Sequence, residues 1–545
     1  MRRSPSLGTA ALLLLVAVAF GRVAGHEFVN FDDDKFIYAN EKLLPPTAAS
    51  LAQLWREEHA HLYVPVTMTA WWLVAQAGLV HDGGAAGGFA LNPWVFHAAS
   101  LLVHVANVLL VRRIVRSVTR DDVAAIIGAA VFGVHPLQVE TVAWASELKD
   151  LLAAMFSLLA LSAMLQAAAD APSSTVSRPR RGRAEGGTTE APPRLPPDAK
   201  RSAVWWCAAI VCFLLALLSK PSAVTLPIVA AVVLWMIDVK PARIVLFVLL
   251  GGLLLAAPVA LITKNVQPAA DVPAPAVWAR PLIAADSIAF YLAKTVLPMQ
   301  LAVDYGRTPA AIFATKAAYW TWVVPLAVTV AVLLSRQRIL IGAWLIFLAA
   351  PAANLGLLPF DFQIVSTVAD HYVYVAMLGV AIAVAWAVMR WPKTRVPAVA
   401  IVVILGVLTF IQAGRWRDSY ALWRHALSVN PNSGLAHGNL GVIYLGDGNA
   451  GEALPLLVRA AELDPHDPFA QLNLIRAYLA TGQTAAAADA GDKLVAAYRR
   501  RADFDPQLVA AVLDRFAAAI AARGDGASAQ RLRDEAARLR ISQQK

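Results

Sequence analysis

Nine stretches of this chain, 123–134, 151–169, 202–219, 221–237, 244–263, 317–335, 339–360, 372–389 and 396–414, contain no Lys, Arg, Asp or Glu. Most exceed the roughly 17 residues with which a helix crosses hydrocarbon. A soluble core does not need uninterrupted apolar runs of that length, whereas a bilayer demands them. The chain is 58% hydrophobic and 15% charged, against about a quarter charged for a soluble domain. An all-α, polytopic membrane protein follows.

The net charge of +10 is a matter of topology rather than of nucleic acid. Basic residues gather in alternate loops: Arg112 to Arg120, Arg178 to Arg201, Lys240 and Arg243, Arg336 and Arg338, and Arg390 to Arg395. With those loops inside, about 11 spans result. The N-terminus is cytoplasmic, residues 8–25 form the first span, and the C-terminal region emerges on the outer side. Residues 8–25 also read as a signal peptide with Arg2 and Arg3 ahead of it and cleavage near Gly25. The linker 171–201, rich in Pro, Arg, Ser, Gly and Thr, is expected to be a disordered cytoplasmic segment. The stretch 281–298 is interrupted by Asp286 and Lys294 and reads as an interfacial or re-entrant helix.

Beyond residue 414 a repeat appears. A shift of 34 residues maps Asn430-Pro431 onto Asp464-Pro465, Ala436 onto Ala470, Asn439 onto Asn473, Leu440 onto Leu474, Tyr444 onto Tyr478 and Gly448 onto Gly482. That period is the tetratricopeptide signature. Residues 506–540 read as a third, degraded helix pair, and helix 418–429 as the surface on which the first repeat packs. Two units follow: a membrane domain, 1–414, and an extracytoplasmic repeat domain, 415–545.

Chemistry-bearing residues fall in the loops assigned to one side. They are Asp32-Asp33-Asp34, then His59, His61, Tyr63 and Pro65, then Asn92-Pro93, His97, His104 and Asn107. His135-Pro136 through Glu140, Trp144, Glu147, Lys149 and Asp150 follow, with Lys220-Pro221 and Ala369-Asp370-His371-Tyr372. Each also has a structural reading. An acidic run after a first span caps it in solvent, His97 and His104 satisfy helix–helix hydrogen bonds, and His135-Pro136 ends a helix. Polar groups at a membrane margin are costly unless a site or pathway uses them, and their joint order favours a site. Cys207 and Cys212 share one span and imply neither a disulfide nor a metal. No Walker or dinucleotide glycine motif occurs.

Phe28-Val29-Asn30-Phe31-Asp32-Asp33, Tyr63-Val64-Pro65, Asn92-Pro93 with His97 and His104, His135 to Asp150, Lys220 to Pro227, Ala369 to Tyr372 and Trp416-Arg417-Asp418 leading into repeats resemble one group of enzymes. These are the transmembrane-and-tetratricopeptide protein O-mannosyltransferases and their bacterial relatives, in the GT-C superfamily. The resemblance runs from Phe28 to about Gln483 and implies transfer of a sugar, mannose, from a polyprenyl-phosphate donor to Ser or Thr hydroxyls of proteins, with inversion. It places the catalytic carboxylates at Asp32, the base, and Asp33, which orients it or the acceptor. Lys149, Lys220 and His371 are the donor-phosphate candidates, with His135, Glu140 and Asp370 beside the substrate. No obligatory cofactor or metal is implied, and the repeats are expected to hold the acceptor polypeptide.

Family members commonly carry Arg where this chain has Leu148, and often Arg where it has His371. Both changes are expected to remove a fixed cation near the phosphate, and His371 substitutes only when protonated, about pH 6.5 for a free imidazole. A transferase acting on a glycan or lipid acceptor, and a non-catalytic membrane anchor for the repeats, remain alternatives. The Ala- and Arg-rich composition suggests a GC-rich bacterial genome, hence an inner-membrane protein with periplasmic repeats.

Overall fold

The computed structural model describes residues 7–81, 88–170, 199–239, 242–266, 275–500 and 504–541. The expected linker lies outside them apart from its last three residues. Among the described residues the fold is helical, and the strands are one short antiparallel pair, Leu79–His81 with Phe89–Leu91.

Every expected span is a helix, but they are not equivalent. Among the described residues, seven are long and apolar enough to cross a bilayer: Leu7–Gly25, Pro93–Thr119, Ala145–Asp170, Ala199–Ser219, Arg243–Ile262, Ala317–Leu334 and Pro392–Trp416. The third expected span is broken. Asp122–Val134 and Pro136–Ala143 meet at 53°, because Pro136 cannot continue the helix and holds His135 extended. Pro221–Met236, Arg338–Ala349 and Met377–Arg390 are shorter apolar helices. The count of about 11 spans therefore contains four that do not reach the full length by themselves. The stretch containing Asp286 and Lys294 is a 17-residue helix, Arg280–Val296, whose buried Asp286 pairs with Arg307.

The bundle has two chemically distinct ends. At one, Arg112 and Arg116 pair with Asp122, Arg395 with Asp121, and Arg338 with Asp238. At the other, the exit of the first helix meets the exit of the last membrane helix, where Glu27 N–H donates to Arg417 O (2.9 Å). The acidic loop, the bent tip, the Lys220 turn and the 369–372 segment all lie at this second end.

Asp122–Val134 sits at the centre, buried from Ala124 through Val134 apart from Ile126. Val323–Leu334 has no fully buried residue; Val328 and Val332 pack on the core and Thr329 accepts the Trp344 indole N–H, and the rest of its surface faces outward, as a lipid-facing helix does. Close crossings depend on small residues. A Cβ added at Gly128 would collide with the backbone carbonyl of Ala381, and one at Gly379 with that of Ala343.

The last membrane helix leads through Trp416 into Ser419–Val429, capped by Asp418 Oδ1 on Ala421 N (2.7 Å). Three helix pairs follow: Gly434–Gly446 with Ala450–Leu463, Pro468–Ala480 with Thr484–Tyr498, and Pro506–Ala521 with Gly526–Ile541. Ala436 and Leu440 of the first pair share the membrane unit's apolar core, together with Leu422, Trp423 and Ala426. The later helices have a core of their own, including Leu457, Leu494, Leu513 and Leu532.

Gly379→Ala is expected to destabilise by about 1–3 kcal/mol, because a backbone carbonyl cannot yield as a side chain can. Gly251→Ala, with nothing within 4 Å, should not. Thermal melting of both variants in detergent checks this; equal melting temperatures would contradict the close crossing.

Candidate active site

The acidic loop divides its carboxylates between two tasks. Asp33 is fully buried. Its Oδ2 accepts Val29 N–H (3.0 Å), and its Oδ1 accepts both Ser146 N–H (2.9 Å) and Ser146 Oγ–H (2.6 Å). It is a tether between the loop and the bent tip. Asp32 stands in the left-handed region at φ +64°, a conformation Asp tolerates better than most residues. Its side chain is 29% exposed and paired with Lys35 (3.1 Å). Phe31 reinforces the tether: it stacks on Trp144 at 4.6 Å and accepts the indole N–H on its carbonyl (2.8 Å). Trp416 stacks on the same indole (5.7 Å) and Trp423 meets Phe31 edge-on (5.4 Å).

Beyond Ser146 the tip delivers an ion cluster. Lys149 Nζ lies 2.9 Å from Glu147 Oε1 and 5.2 Å from the centre of the Trp144 ring. Lys220 Nζ lies 2.6 Å from Asp150 and 3.4 Å from Glu147. The Glu147-to-Asp150 spacing puts both carboxylates on one helix face, and Pro221 turns the chain so that Lys220 reaches them. His371 Nδ1 is 2.5 Å from Glu140, while its Nε2 faces Glu147 at 4.0 Å. A cleft beside the cluster is lined by Asp150, Ser222, Asn354, His371 and Tyr372.

Burial pushes the His371 imidazole down to about 3; Glu147 opposes that, and Lys220 and Lys149 add to it. The ring is neutral at physiological pH, and because burial also lifts the Glu140 carboxyl well above its ordinary range, one proton is shared between Glu140 and Nδ1, with Nε2 toward Glu147. Burial likewise lifts Asp370 to about 7, against the hydrogen bond from Tyr305 (2.7 Å) and the charge of Lys294.

Glu147, Asp150 and His371 offer one ligand atom each within 4.8 Å of one another. Two ammonium groups already neutralise the two carboxylates, which is the role a metal ion would otherwise take.

Several sequence expectations change. Asp33 is buried and bonded to Val29 and Ser146. Neutral His371 does not replace a fixed cation. Leu148 is packed in the apolar core and is not among the residues lining the cleft. Lys149 and Lys220 are not free cations, because each holds a carboxylate. His135 is saturated, with Nε2 on Thr295 O (3.0 Å) and Nδ1 accepting Leu137 N–H (3.2 Å). His104 bridges Tyr374 and Gly133 O, the helix–helix role. Glu140 and Asp370 do adjoin His371. Glu147 and Asp150, assigned no role from sequence, are the centre of the cluster; their spacing on one helix face was the available signal.

Asp33 yields a pH prediction. Burial raises its carboxyl to about 7, against the hydrogen bonds from Ser146 and Val29. The native state therefore holds this proton more tightly than the unfolded chain. The stability it adds is full below the ordinary value near 4 and is lost as pH rises through 7. Asp33→Asn removes that dependence. Its melting temperature should fall well below wild type at pH 4.5, and the gap should narrow toward pH 8, at about 1.4 kcal/mol per pH unit within the window, leaving a residual difference from the Val29 N–H that the amide nitrogen cannot accept. A gap that widens with pH would contradict this.

Comparison with known proteins gives two findings. Residues 444–512 and 406–468 each match a tetratricopeptide repeat family model. Over 154 residues the chain is 25% identical to the protein O-mannosyl-transferase Tmtc3 of Drosophila melanogaster, an alignment covering 27% of this chain and 16% of that protein. The chain is thus a helical membrane protein with C-terminal tetratricopeptide repeats and a distant similarity to a glycosyltransferase.

Proposed function

We propose that this protein is a GT-C-type membrane glycosyltransferase that moves mannose from a polyprenyl-phosphate donor to Ser or Thr hydroxyls of a polypeptide, with inversion. The observation that carries the reading is the division of the acidic loop: Asp33 is fixed to the tip by three hydrogen bonds, and Asp32 is thereby held part-exposed above a buried ion cluster. In the reaction the acceptor oxygen bonds to sugar C1 as the C1–O bond to phosphate breaks. Asp32 takes the hydroxyl proton, and the electron pair leaves with the polyprenyl phosphate. Lys220, bonded to Asp150 of the cleft lining, and Lys149 beside Glu147 meet the developing phosphate charge. We place the acidic loop and repeats in the bacterial periplasm and the basic end in the cytoplasm, following the distribution of Arg and Lys.

Charge balance bears on donor binding. Burial, with Asp370 and Glu147 adding to it, lifts the Glu140 carboxyl well above its ordinary range, so the linked cluster sets Glu147 and Asp150 against Lys149 and Lys220, beside a neutral His371 in contact with Glu140. A phosphate adds negative charge, so its arrival draws a proton onto the cluster, with His371 and Glu140 as the receiving pair. The apparent KM for donor should therefore fall between pH 8 and pH 6; a KM that rises or stays flat would remove this coupling.

The decisive experiment is transfer by purified protein in lipid, with polyprenyl-phosphate mannose and a panel of Ser/Thr peptides and glycans. Asp32→Asn keeps the left-handed turn accessible and should leave melting unchanged while lowering kcat by about 10²–10⁴-fold. Equal rates would remove Asp32 as the base. Transfer to glycans but not to peptides would move the acceptor to another class. Absence of transfer by wild type would leave the repeats as an anchored scaffold.

A further inference from the structure

The segment joining Arg280–Val296 to Pro309–Ala314 crosses the second end of the bundle, between the repeats and the ion cluster. It is buried over Leu301, Ala302, Val303 and Asp304, although no regular element lies within it. Besides its bonds to the helix before it, through Lys294 and Asp286, it contacts two neighbours. Toward the repeats, Asp304 Oδ2 accepts Ser433 Oγ–H (2.5 Å) and Asn430 Nδ2–H (3.3 Å), at the start of the first repeat. Leu301 O accepts from His425 Nε2 (2.8 Å) and from Gln412 Nε2 (2.9 Å) of the last membrane helix. Toward the cluster, the very next residue, Tyr305, donates its hydroxyl to Asp370 Oδ1 (2.7 Å). Asp370 precedes His371, whose ring bonds to Glu140.

Adjacent residues in a buried segment whose side chains are both held move together, because only the φ and ψ between them can absorb a shift and close packing opposes that rotation. A displacement at Ser433 is therefore transmitted to Asp370 through a single peptide link. Opposing it is a second support: Tyr291 Oη donates to Ala369 O (3.2 Å) and accepts Ala369 N–H (3.1 Å). That bond anchors the segment's start, so the movable part is Asp370 and His371.

We propose that Asp304 and Tyr305 form a coupling element that sets Asp370 and His371 according to how the first tetratricopeptide repeat is seated, with Tyr305 as a positioning residue. The catalytic meaning of the coupling rests on the transferase reading; the coupling itself does not. In that reaction a polypeptide held by the repeats shifts Ser433 against Asp304, and the site responds before the acceptor hydroxyl arrives.

The test uses the full chain in lipid nanodiscs without substrate. Amide hydrogen exchange is followed over 366–374 for wild type, Ser433→Ala, Tyr305→Phe and the double variant. Ser433→Ala should speed exchange there at least threefold, Ser433→Thr should restore it, and Ser433→Ala should add nothing once Tyr305 is Phe. Exchange that changes only at 430–446, or that rises equally in both backgrounds, overturns the proposal. Unchanged exchange over Pro468–Ala480 verifies that the variants remain folded. If wild type transfers sugar, Tyr305→Phe should lower kcat about tenfold with the peptide KM within twofold. If wild type transfers nothing, the transferase reading fails while the exchange result still decides the coupling.

Discussion

The buried carboxylate of Asp33 is the constraint on which the site depends. Three donors converge on it, from Val29 and Ser146, and each would be left without a partner in a buried setting if it were removed. The loop after the first helix and the bent tip after the third are distant in sequence, and this carboxylate makes them one surface. Everything placed on that surface inherits its geometry. Asp32 stands in the left-handed region beside its fixed successor, Trp144 is held where Phe31 can stack, and Lys149 is packed over that indole. Trp416 covers the other face of the stack, and so the linker to the repeats is fixed by the same contacts.

The ion cluster obeys a different rule. Charges taken out of water are tolerated only when paired and hydrogen-bonded, and Glu147, nearly inaccessible at 1% exposure, lies between Lys149 and Lys220. Removal of Lys220 would strand Asp150, so a loss of activity in that variant would not separate catalysis from folding. Neutral His371 fits the same logic. A third fixed cation would overfill the lysine side of the cluster, whereas a neutral ring shares one proton with Glu140 at Nδ1 and turns Nε2 toward Glu147.

The fold was legible in the sequence because its two signals are long-range in composition and simple in physics. Charge-free blocks locate the helices, and the 34-residue shift locates the repeats. The short helices were not separable from full spans, since a run such as 339–360 is charge-free yet its helix stops at Ala349, ahead of Pro351. Within the site, the positions of Asp32, Asp33, Glu140, Asp370 and His371 at one end were legible from loop order. Their roles were not. The sequence Asp32-Asp33-Asp34 contains nothing that says which carboxylate is buried, because burial is decided by Ser146, more than a hundred residues away. Lys149 and Lys220 likewise look like free cations until Glu147 and Asp150 are seen between them. Tyr305 carried no signal, as its partner Asp370 lies 65 residues on.

The sharing of one apolar core by the membrane unit and the first repeat limits what the repeats can do. Ala436 and Leu440 are packed with Leu422, Trp423 and Ala426, so the first helix pair cannot swivel without opening buried surface, at about 25 cal/mol for each Å² of apolar area. A flexible tether would raise the local concentration of a bound polypeptide and leave its approach angle free. A fused first repeat fixes that angle and makes the bonds of Asp304 to Asn430 and Ser433 sensitive to small displacements. The later repeats, with a core of their own, can deform as a solenoid does, each unit against its neighbours. Flexibility is thus placed away from the membrane and rigidity beside the cluster, the arrangement required if a varied set of bound chains is to meet one fixed carboxylate.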